Sequence, residues 1–206
     1  MWVIMMIKLL YKGEIIEKDH SIKKSSSSIT LIQTKNHNII VDTSTKDKKD
    51  IIINELRKLK LDVKDIDVVI NTHRHRGHIE NNEMFKNAEI YASSQESIIN
   101  YNGCELYSNI DEVEDYTPIE KFQDDEITIL KTPGHTYGSI SIIYDNYIIA
   151  GDTVPLKDTI LKDIFPSKIV DYRATKGSLR RIKLLGKHII TGHDGIIYKN
   201  EYLNSI

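Results

Sequence analysis

The stretch NTHRHRGHIENN, residues 71–82, contains three of the eight histidines in the chain, spaced closely enough to share a ligand. His73, His75 and His78 lie within six positions of one another. Imidazole is the commonest side-chain ligand for transition metals, and clustered neutral ring nitrogens are costly to bury unless something binds them. We therefore interpret this cluster as part of a metal site. Gly77 stands inside it, at a position where a carboxylate would be a useful further ligand.

Other candidate ligands follow short apolar runs that we predict to be strands. Loops at strand ends are held rigidly by the strands, so ligands on such loops can converge at one rim of a sheet. This recurring placement is difficult to explain by a chance scatter of unrelated histidines. The five residues are Asp42 after NIIV, His73 after DVVINT, His135 after ITILKTPG, Asp152 after YIIAG and His193 after HIITG.

The hydrophobic periodicity of the sequence predicts the strands and helices that hold these loops. The runs 29–34 and 38–44 predict a hairpin, and residues 47–61 predict an amphipathic helix. A second helix is predicted over 173–185, with Gly186 at its carboxyl end. Strands outnumber helices, and the helices are dispersed between groups of strands. This order favours an α/β sandwich with sheets inside and helices outside.

Two polar segments carry no regular element in this interpretation. KKSSSSI, residues 23–29, is predicted to be a polar connection between apolar runs. The strongly acidic segment 105–126 is predicted to be a solvated connecting loop, and a lid over the site is the alternative.

Composition limits the classes of protein to consider. With 206 residues we predict one domain over 1–206, and 40% hydrophobic and 28% charged residues are ordinary for a globular protein. A net charge of −2 gives no global attraction to nucleic acid or anionic membranes. MWVIMMIKLLYKG at the start predicts a first strand rather than a secretion signal or membrane span. A single cysteine, Cys104, fits a reducing compartment, so we expect a cytoplasmic protein with no membrane association.

Taken together, the motifs resemble those of the metallo-β-lactamase fold hydrolase superfamily. The signature of that family is His-x-His-x-Asp-His, then a histidine in Pro-Gly-His-Thr, an aspartate in Gly-Asp and a late histidine in Gly-His. Here the matching segments, in the same order, are HRHRGH, TPGHTYGSIS, AGDTV and TGHDG. The resemblance extends from IIVDTS to TGHDG and implies the family fold, a four-layer αββα sandwich. That fold agrees with the strand and helix pattern.

The resemblance also implies which residues bind metal and what chemistry follows. Two ions that share a water lower its pKa and polarise the bond it attacks, so hydrolysis is the implied reaction. We expect one or two divalent ions and favour zinc, although iron or manganese also suits histidine and carboxylate ligands. Asp152 and His193 are also our candidate catalytic residues. By position, His73, His75 and His135 would bind the first ion, His78 and His193 the second, with Asp152 bridging both and Asp42 supporting the histidines of the first motif.

Gly77 departs from the family pattern, because the family has a ligating aspartate there and glycine offers no side chain. Three consequences are open. Water fills the vacancy while the other ligands keep the second ion. Alternatively, a neighbouring carboxylate, Glu80 or Asp194, replaces the aspartate. In the third, only the first ion binds firmly, and the protein is a one-metal hydrolase or a non-catalytic metal-binding protein.

The segment TPGHTYGSISIIYDNYIIAGDTV is most similar to small hydrolases of this superfamily. We therefore predict a hydrolase that uses a metal-bound hydroxide on a small ester, thioester or lactone, with a small molecule as its partner. A symmetric oligomer is compatible with the sequence. A one-iron sulfur dioxygenase is a further alternative, since it needs only the first ion.

The rival hydrolase is a phosphodiesterase or nuclease acting on RNA or DNA, because the same metal-bound hydroxide attacks phosphodiesters. Arg74 and Arg76 flank the histidine cluster, and the predicted second helix is rich in basic residues. An ordinary solvated face is the simpler explanation of that helix, so nucleic acid is not the favoured partner. The basic residues are Arg173, Lys176, Arg180, Arg181, Lys183 and Lys187.

Overall fold

Two mixed sheets form the centre of the protein, as seen in a computed structural model that describes residues 6–18, 21–96, 116–165 and 169–203. The strands of the first sheet are neighbours in the order of the sequence. Its first three strands are antiparallel and the others are parallel to β3. The strands are β1 (Met6–Lys18), β2 (Ser21–Gln33), β3 (Asn38–Val41), β4 (Val68–Ile70), β5 (Glu89–Ala92) and β6 (Thr117–Pro118).

The second sheet is built from the later part of the chain. Its strand order is β11-β10-β9-β8-β7. Only β9 and β10 are parallel, because a long crossover connects them, whereas the other neighbours are antiparallel. The strands are β7 (Ile127–Lys131), β8 (Ile140–Tyr144), β9 (Tyr147–Ile149), β10 (His188–Ile190) and β11 (Ile196–Ile197).

Five helices lie among the described residues. Two of them confirm the helices predicted over 47–61 and 173–185, with ends that differ by one to three residues. Ile52 and Leu56 lie one turn apart on the first helix and are fully buried, as the apolar spacing requires. The helices are α1 (Lys49–Lys58), α2 (Arg76–Ile79), α3 (Lys157–Lys162), α4 (Tyr172–Leu184) and α5 (Lys199–Leu203).

The buried apolar residues divide into three layers, and these layers confirm the αββα sandwich. The central layer joins the two sheets, for example Ile32 and Ile70 of the first with Ile142 of the second. The outer face of the first sheet packs against α1. The outer face of the second sheet packs against α3, α4 and α5. Each sheet therefore has one face toward the other sheet and one toward helices.

The predicted hairpin over 29–44 is confirmed by the pairing of β2 with β3, in which Thr30 lies opposite Val41. In the turn between β8 and β9, Asp145 lies in the left-handed region at φ 49°. Both connections are short and lie at the ends of β3 and β9 opposite those that Asp42 and Asp152 follow.

The prediction for KKSSSSI is wrong, because residues 23–29 lie inside β2. This part of β2 pairs with β1 and has Ser26 opposite Glu14. Ser26 and Ser27 have no exposed surface. Serine is small enough to be buried in a strand that approaches other elements closely. The Ser26 hydroxyl contacts that of Tyr11, at 3.2 Å, and the Ser28 hydroxyl donates to the backbone oxygen of Lys12, at 2.7 Å.

Several sequence predictions concern residues outside the described part of the chain. Cys104 and residues 105–115 of the acidic segment lie there. The described remainder of that segment contains β6 and a 3-10 turn at Ile119–Lys121. Within the described ranges, none of the helices has the length and apolar character that crossing a bilayer requires.

Candidate metal centre

The carboxylate of Asp152, just after β9, lies at the centre of the histidines that the sequence singled out. Its two oxygens lie near the ring nitrogens of four histidines, and Nε2 of His193 is close to both oxygens, 3.3 Å from Oδ2. Oδ2 lies 3.3 Å from Nε2 of His135 and 4.0 Å from Nε2 of His73. Oδ1 lies 3.0 Å from Nε2 of His193 and 3.4 Å from Nε2 of His78. One carboxylate thus stands between two histidine sets, an arrangement suited to bridging two cations.

The first set is completed by His75. Its Nδ1 lies 2.8 Å from Nε2 of His135, and both rings stand almost perpendicular to the ring of His73. The nitrogens of His73, His75 and His135 lie within 4.8 Å of one another. The ligating atoms of His73, His78 and Asp152 form a second group within the same limit. His75 and Asp152 are half-buried and the other proposed ligands are buried, so these two residues form the accessible part of the centre.

Three buried polar atoms at this centre have no hydrogen-bond partner: Nε2 of His73, Nε2 of His78 and Oδ1 of Asp152. Burying a polar atom without a partner is costly. Imidazole nitrogens and carboxylate oxygens are ligands of divalent transition metals. The residues present therefore fit the metal ions that the resemblance implies.

A threonine and an aspartate fix the orientation of His73. Thr72 donates its hydroxyl hydrogen to Oδ2 of Asp42, at 2.8 Å, so its oxygen is left to accept from Nδ1 of His73, at 3.1 Å. This tautomer leaves the lone pair of Nε2 directed at the centre. Burial, together with the neighbouring His78, His75 and His135, holds the pKa of His73 well below its usual value. The ring is therefore neutral and available as a ligand.

His78 is oriented by the same aspartate. Its Nδ1 donates to Oδ2 of Asp42, at 2.8 Å, because a carboxylate only accepts. Burial alone lowers the pKa of His78, but the carboxylates of Asp152 and Asp42 outweigh it and raise the pKa to about 10. The position therefore favours positive charge, supplied either by a proton or by a cation that displaces it.

Asp152 stays ionised although it is buried. Burial raises its pKa, but His193, His78 and His135 outweigh that effect and hold the pKa well below its usual value. The carboxylate therefore keeps its negative charge at every pH at which the protein is expected to work.

Close backbone packing places His193 beside Asp152. Nδ1 of His193 donates to the carbonyl oxygen of Ser26 in β2, at 2.9 Å, which leaves Nε2 free to face the centre. Gly192 is required for this approach, since a Cβ there would collide with Oδ1 of Asp152. Ser28 in β2 also donates its backbone N–H to the oxygen of Gly192, at 2.6 Å. The β2 strand is thus fixed against the loop that carries His193.

Gly77 lies in α2, directly against β2. A Cβ on residue 77 would lie 2.9 Å from the backbone oxygen of Ser25. Such a distance is shorter than carbon and oxygen atoms tolerate without a shift. The absence of a side chain at this position therefore permits the strand to approach the helix.

The two carboxylates considered as replacements for the missing aspartate are occupied elsewhere in this structure. Glu80 accepts from the backbone N–H of Lys46, at 2.8 Å, and from Nε of Arg76. Asp194 accepts from the backbone N–H of Lys157, at 3.4 Å. The hydroxyl of Ser25 is the group that lies close to the second histidine set, 3.4 Å from Nε2 of His193.

Glu96 also lies near the centre and was not predicted from the sequence. It connects two of the loops that carry candidate ligands. Its carboxylate accepts from the backbone N–H of Arg74, at 2.9 Å, from the N–H of Gly138, at 3.0 Å, and from the hydroxyl of Thr136. Arg74 lies between His73 and His75, and Thr136 follows His135. A lone glutamate in SSQES carries no motif, so the sequence held no signal for this role.

Comparisons with known proteins agree with the geometry. A sequence profile described as the metallo-beta-lactamase superfamily matches residues 22–193, which include every residue of the candidate centre. A protein of Methanocaldococcus jannaschii named as a probable metallo-hydrolase is 54% identical over 198 residues, which is 96% of this chain and 91% of the relative.

Two solved structures with the same fold hold ligands at their sites. One is AiiA of B. thuringiensis, as a mutant with N-decanoyl-L-homoserine bound at the active site; its TM-score is 0.72 at 19% identity, over 91% of this chain and 92% of that chain. The other is an N-acyl homoserine lactone hydrolase with the product N-hexanoyl-L-homoserine bound at the catalytic metal centre. Its TM-score is 0.71 at 19% identity, over 91% of this chain and 92% of that chain.

Proposed function

The chain belongs to the metallo-beta-lactamase superfamily, and from this premise we propose that it is a metallo-hydrolase that cleaves a small ester, thioester or lactone. The observation that carries the proposal is the position of the Asp152 carboxylate between the two histidine sets, with Oδ2 3.3 Å from Nε2 of His135 and Oδ1 3.0 Å from Nε2 of His193. A carboxylate so placed can hold two cations at once.

The metal ligands in this proposal are those that the resemblance implied. The ions are divalent, and zinc is our choice because neutral imidazoles predominate among the ligands. Bound ions supply Lewis-acid chemistry, since they lower the pKa of a water and polarise the bond to be cleaved. The proposed ligands are His73, His75, His78, His135, Asp152 and His193.

The chain itself prepares the ligands for that chemistry. Asp42 holds the Nδ1 hydrogen of His78, and Ser26 holds that of His193, so both Nε2 atoms face the centre. The low pKa of Asp152 keeps its carboxylate charged, so we assign it to holding and orienting cations rather than to donating a proton. The nitrogen and oxygen atoms of the proposed ligands are thus oriented by the protein before substrate binds.

The proposed substrate class is supported by the ligands of structures with this fold and by the accessible part of the centre. Two structures with this fold, each 19% identical to this chain, hold N-acyl homoserines at their active sites or metal centres. Of the proposed ligands, His75 and Asp152 are half-buried and the others are buried. A small acyl compound that reaches these two residues would present its carbonyl to the ions that they hold.

The experiment is a hydrolysis screen on the purified protein. Esters, thioesters and lactones of graded acyl length are followed by proton release, with metal content measured on the same sample. Asp152→Asn should lower the rate about a hundredfold or more. His37→Ala is the control, because its ring pairs with Asp67 rather than with the centre. No hydrolysis of any class by a metal-loaded protein would contradict the proposal.

The nuclease alternative receives no support from the basic residues of α4 and the segment after it. Arg181 donates to the backbone oxygen of Lys131, and Nζ of Lys183 lies 3.2 Å from Oδ1 of Asp163. Lys187 donates to a backbone oxygen at 2.6 Å. These contacts tie three of the six basic residues to the protein itself. A salt-dependent affinity for RNA or DNA would reverse this assessment.

A further inference from the structure

The serine run of β2 forms one wall of the second half of the metal centre. Three of its backbone groups bond to loops that carry the candidate ligands or their supports. Ser26 accepts from His193, at 2.9 Å, and Ser28 donates to the oxygen of Gly192, at 2.6 Å. Ser27 accepts from the hydroxyl of Ser44, at 3.0 Å. The position of Ser25 is therefore fixed by its neighbours in the strand.

The side chain of Ser25 faces the second histidine set. Its Oγ lies 3.4 Å from Nε2 of His193. Because the carbonyl of Ser26 takes the Nδ1 hydrogen of His193, Nε2 carries a lone pair. Any cation held by this nitrogen has the Ser25 hydroxyl as a neighbour. The buried Nε2 of His78 and Oδ1 of Asp152, both without hydrogen-bond partners, belong to the same set.

Gly77 and Ser25 occupy complementary positions. A Cβ on residue 77 would lie 3.7 Å from Oγ of Ser25 and 2.9 Å from its backbone oxygen. A side chain growing from residue 77 and the serine of β2 therefore compete for the same space. The strand has filled the region that a longer residue in α2 would otherwise enter.

We propose that the hydroxyl oxygen of Ser25 is a ligand of the second ion. It replaces the carboxylate ligand that is missing at Gly77. This inference rests on the proposed function, because it requires the centre to bind two divalent cations. A neutral hydroxyl replaces a carboxylate, so the second ion has less negative charge around it than a carboxylate would provide. Beside Asp152, the second ion has two imidazoles and a neutral hydroxyl, whereas the first has three imidazoles. The second ion therefore binds more weakly than the first, and the two sites fill in sequence.

The first test measures ion binding rather than activity. Zinc is titrated into chelator-treated protein, and the two dissociation constants are compared in the unmodified protein, Ser25→Ala and Ser26→Ala. Ser25→Ala should weaken the second constant about tenfold or more and leave the first unchanged. Ser26→Ala is the matched control, because it removes a hydroxyl that contacts Tyr11, at 3.2 Å, and keeps the carbonyl that His193 needs.

The second test reports ligation directly. A thiolate bound to Co(II) absorbs in the near ultraviolet, so Ser25→Cys loaded with two equivalents of Co(II) should gain a charge-transfer band. Ser26→Cys should not gain it, and neither should the unmodified protein. A purely structural serine at position 25 would produce no band, so this readout separates the two roles even where Ser25→Ala folds poorly.

Each outcome bears on a different claim. Two ions bound equally well with and without the Ser25 hydroxyl, and no band in Ser25→Cys, would overturn the role of Ser25 and leave the proposed function intact. A single ion in both proteins would also overturn it, while a hydrolase working through the first set would remain. A protein that binds no divalent ion would overturn both proposals.

Discussion

Oδ2 of Asp42 lies 2.8 Å from Nδ1 of His78, and the same carboxylate binds both the backbone N–H and the hydroxyl of Thr72. One buried aspartate therefore orients two candidate ligands, His78 directly and His73 through Thr72. Its backbone adopts a left-handed conformation, with φ at 56°, which aspartate and asparagine tolerate better than most residues. Asp42, at the end of β3, thus determines the geometry of a cluster whose supporting Thr72 lies thirty residues later.

We expect Asp42→Asn to destabilise the protein and weaken metal binding together. The amide keeps the left-handed backbone but puts an N–H₂ group against donors, and loss of charged hydrogen bonds costs about 1.5–3 kcal/mol each. Urea unfolding and zinc titration check the two effects. Asp67→Asn is the control, because the half-exposed Asp67 accepts from His37 and Asn38 away from the centre. Equal losses in the two variants would contradict the role assigned to Asp42.

Two glycine substitutions should change stability in opposite directions. Gly77→Ala places a Cβ 2.9 Å from the backbone oxygen of Ser25 and should lower the free energy of unfolding by about 1–3 kcal/mol. Gly177 in α4 has no atom within 4 Å of its Cβ position, so Gly177→Ala should raise it by about 0.5–1 kcal/mol. Chemical denaturation of both variants is the measurement. An unchanged free energy of unfolding in Gly77→Ala would show that the contact between β2 and α2 accommodates a Cβ at this position.

Removal of metal should lower the melting temperature, because ions bind the folded state. Ions at a hundred times their dissociation constant add about 2.7 kcal/mol to the free energy of unfolding. Scanning calorimetry with and without a chelator measures the shift. The shift should largely disappear in His73→Ala, whose Nε2 is one of the unpartnered atoms, and persist in His37→Ala. An unchanged shift in His73→Ala would remove that residue from the ligand set.

The burial of Glu96 leads us to expect that the free energy of unfolding depends on pH. Burial raises its pKa above the ordinary 4.5, although the hydrogen bonds from Thr136, Arg74 and Gly138 oppose the change. The folded protein therefore keeps the Glu96 proton to a higher pH than the unfolded chain does. Its contribution to stability is fully present below pH 4.5 and is lost as the pH rises through the folded pKa.

The stability of the unmodified protein relative to Glu96→Gln should accordingly fall between pH 4.5 and neutral pH. Urea unfolding of both proteins across this range measures the difference, in which all other titrating groups, including the histidines, largely cancel. A difference that stays constant with pH, or that grows as the pH rises, would contradict the assigned direction.

The sequence predicted the sheets and the convergence of five strand ends because those features are local. Apolar runs such as NIIV and YIIAG mark buried strands, and the polar residue after each run marks the loop. The serine run of β2 could not be predicted in the same way. Its burial depends on contacts with Ser44, Gly192 and His193, which lie far away in the chain. Small polar residues are typical of loops unless such partners are known.

The structural role of Gly77 could not be predicted from the sequence for the same reason, because it depends on residues far away in the chain. Within the HRHRGH motif the glycine indicates only that a carboxylate is missing. The space beside Gly77 is occupied by β2, a strand that ends before residue 34, and Ser25 of that strand packs tightly against α2. Glu96 was equally hidden, since its three donors come from two loops that the fold brings together.

The bond between Ser26 and His193 spans 167 positions of the chain, and this separation has a consequence for the order of folding. Closing so long a loop is entropically slow compared with forming local hairpins. During synthesis β1 and β2 leave the ribosome early, but the edge of β2 that meets Gly192 has no partner until the last strands emerge. We expect refolding followed by circular dichroism to show sheet formation before the second ion is acquired. Loading of the complete centre would then mark a chain that has finished folding.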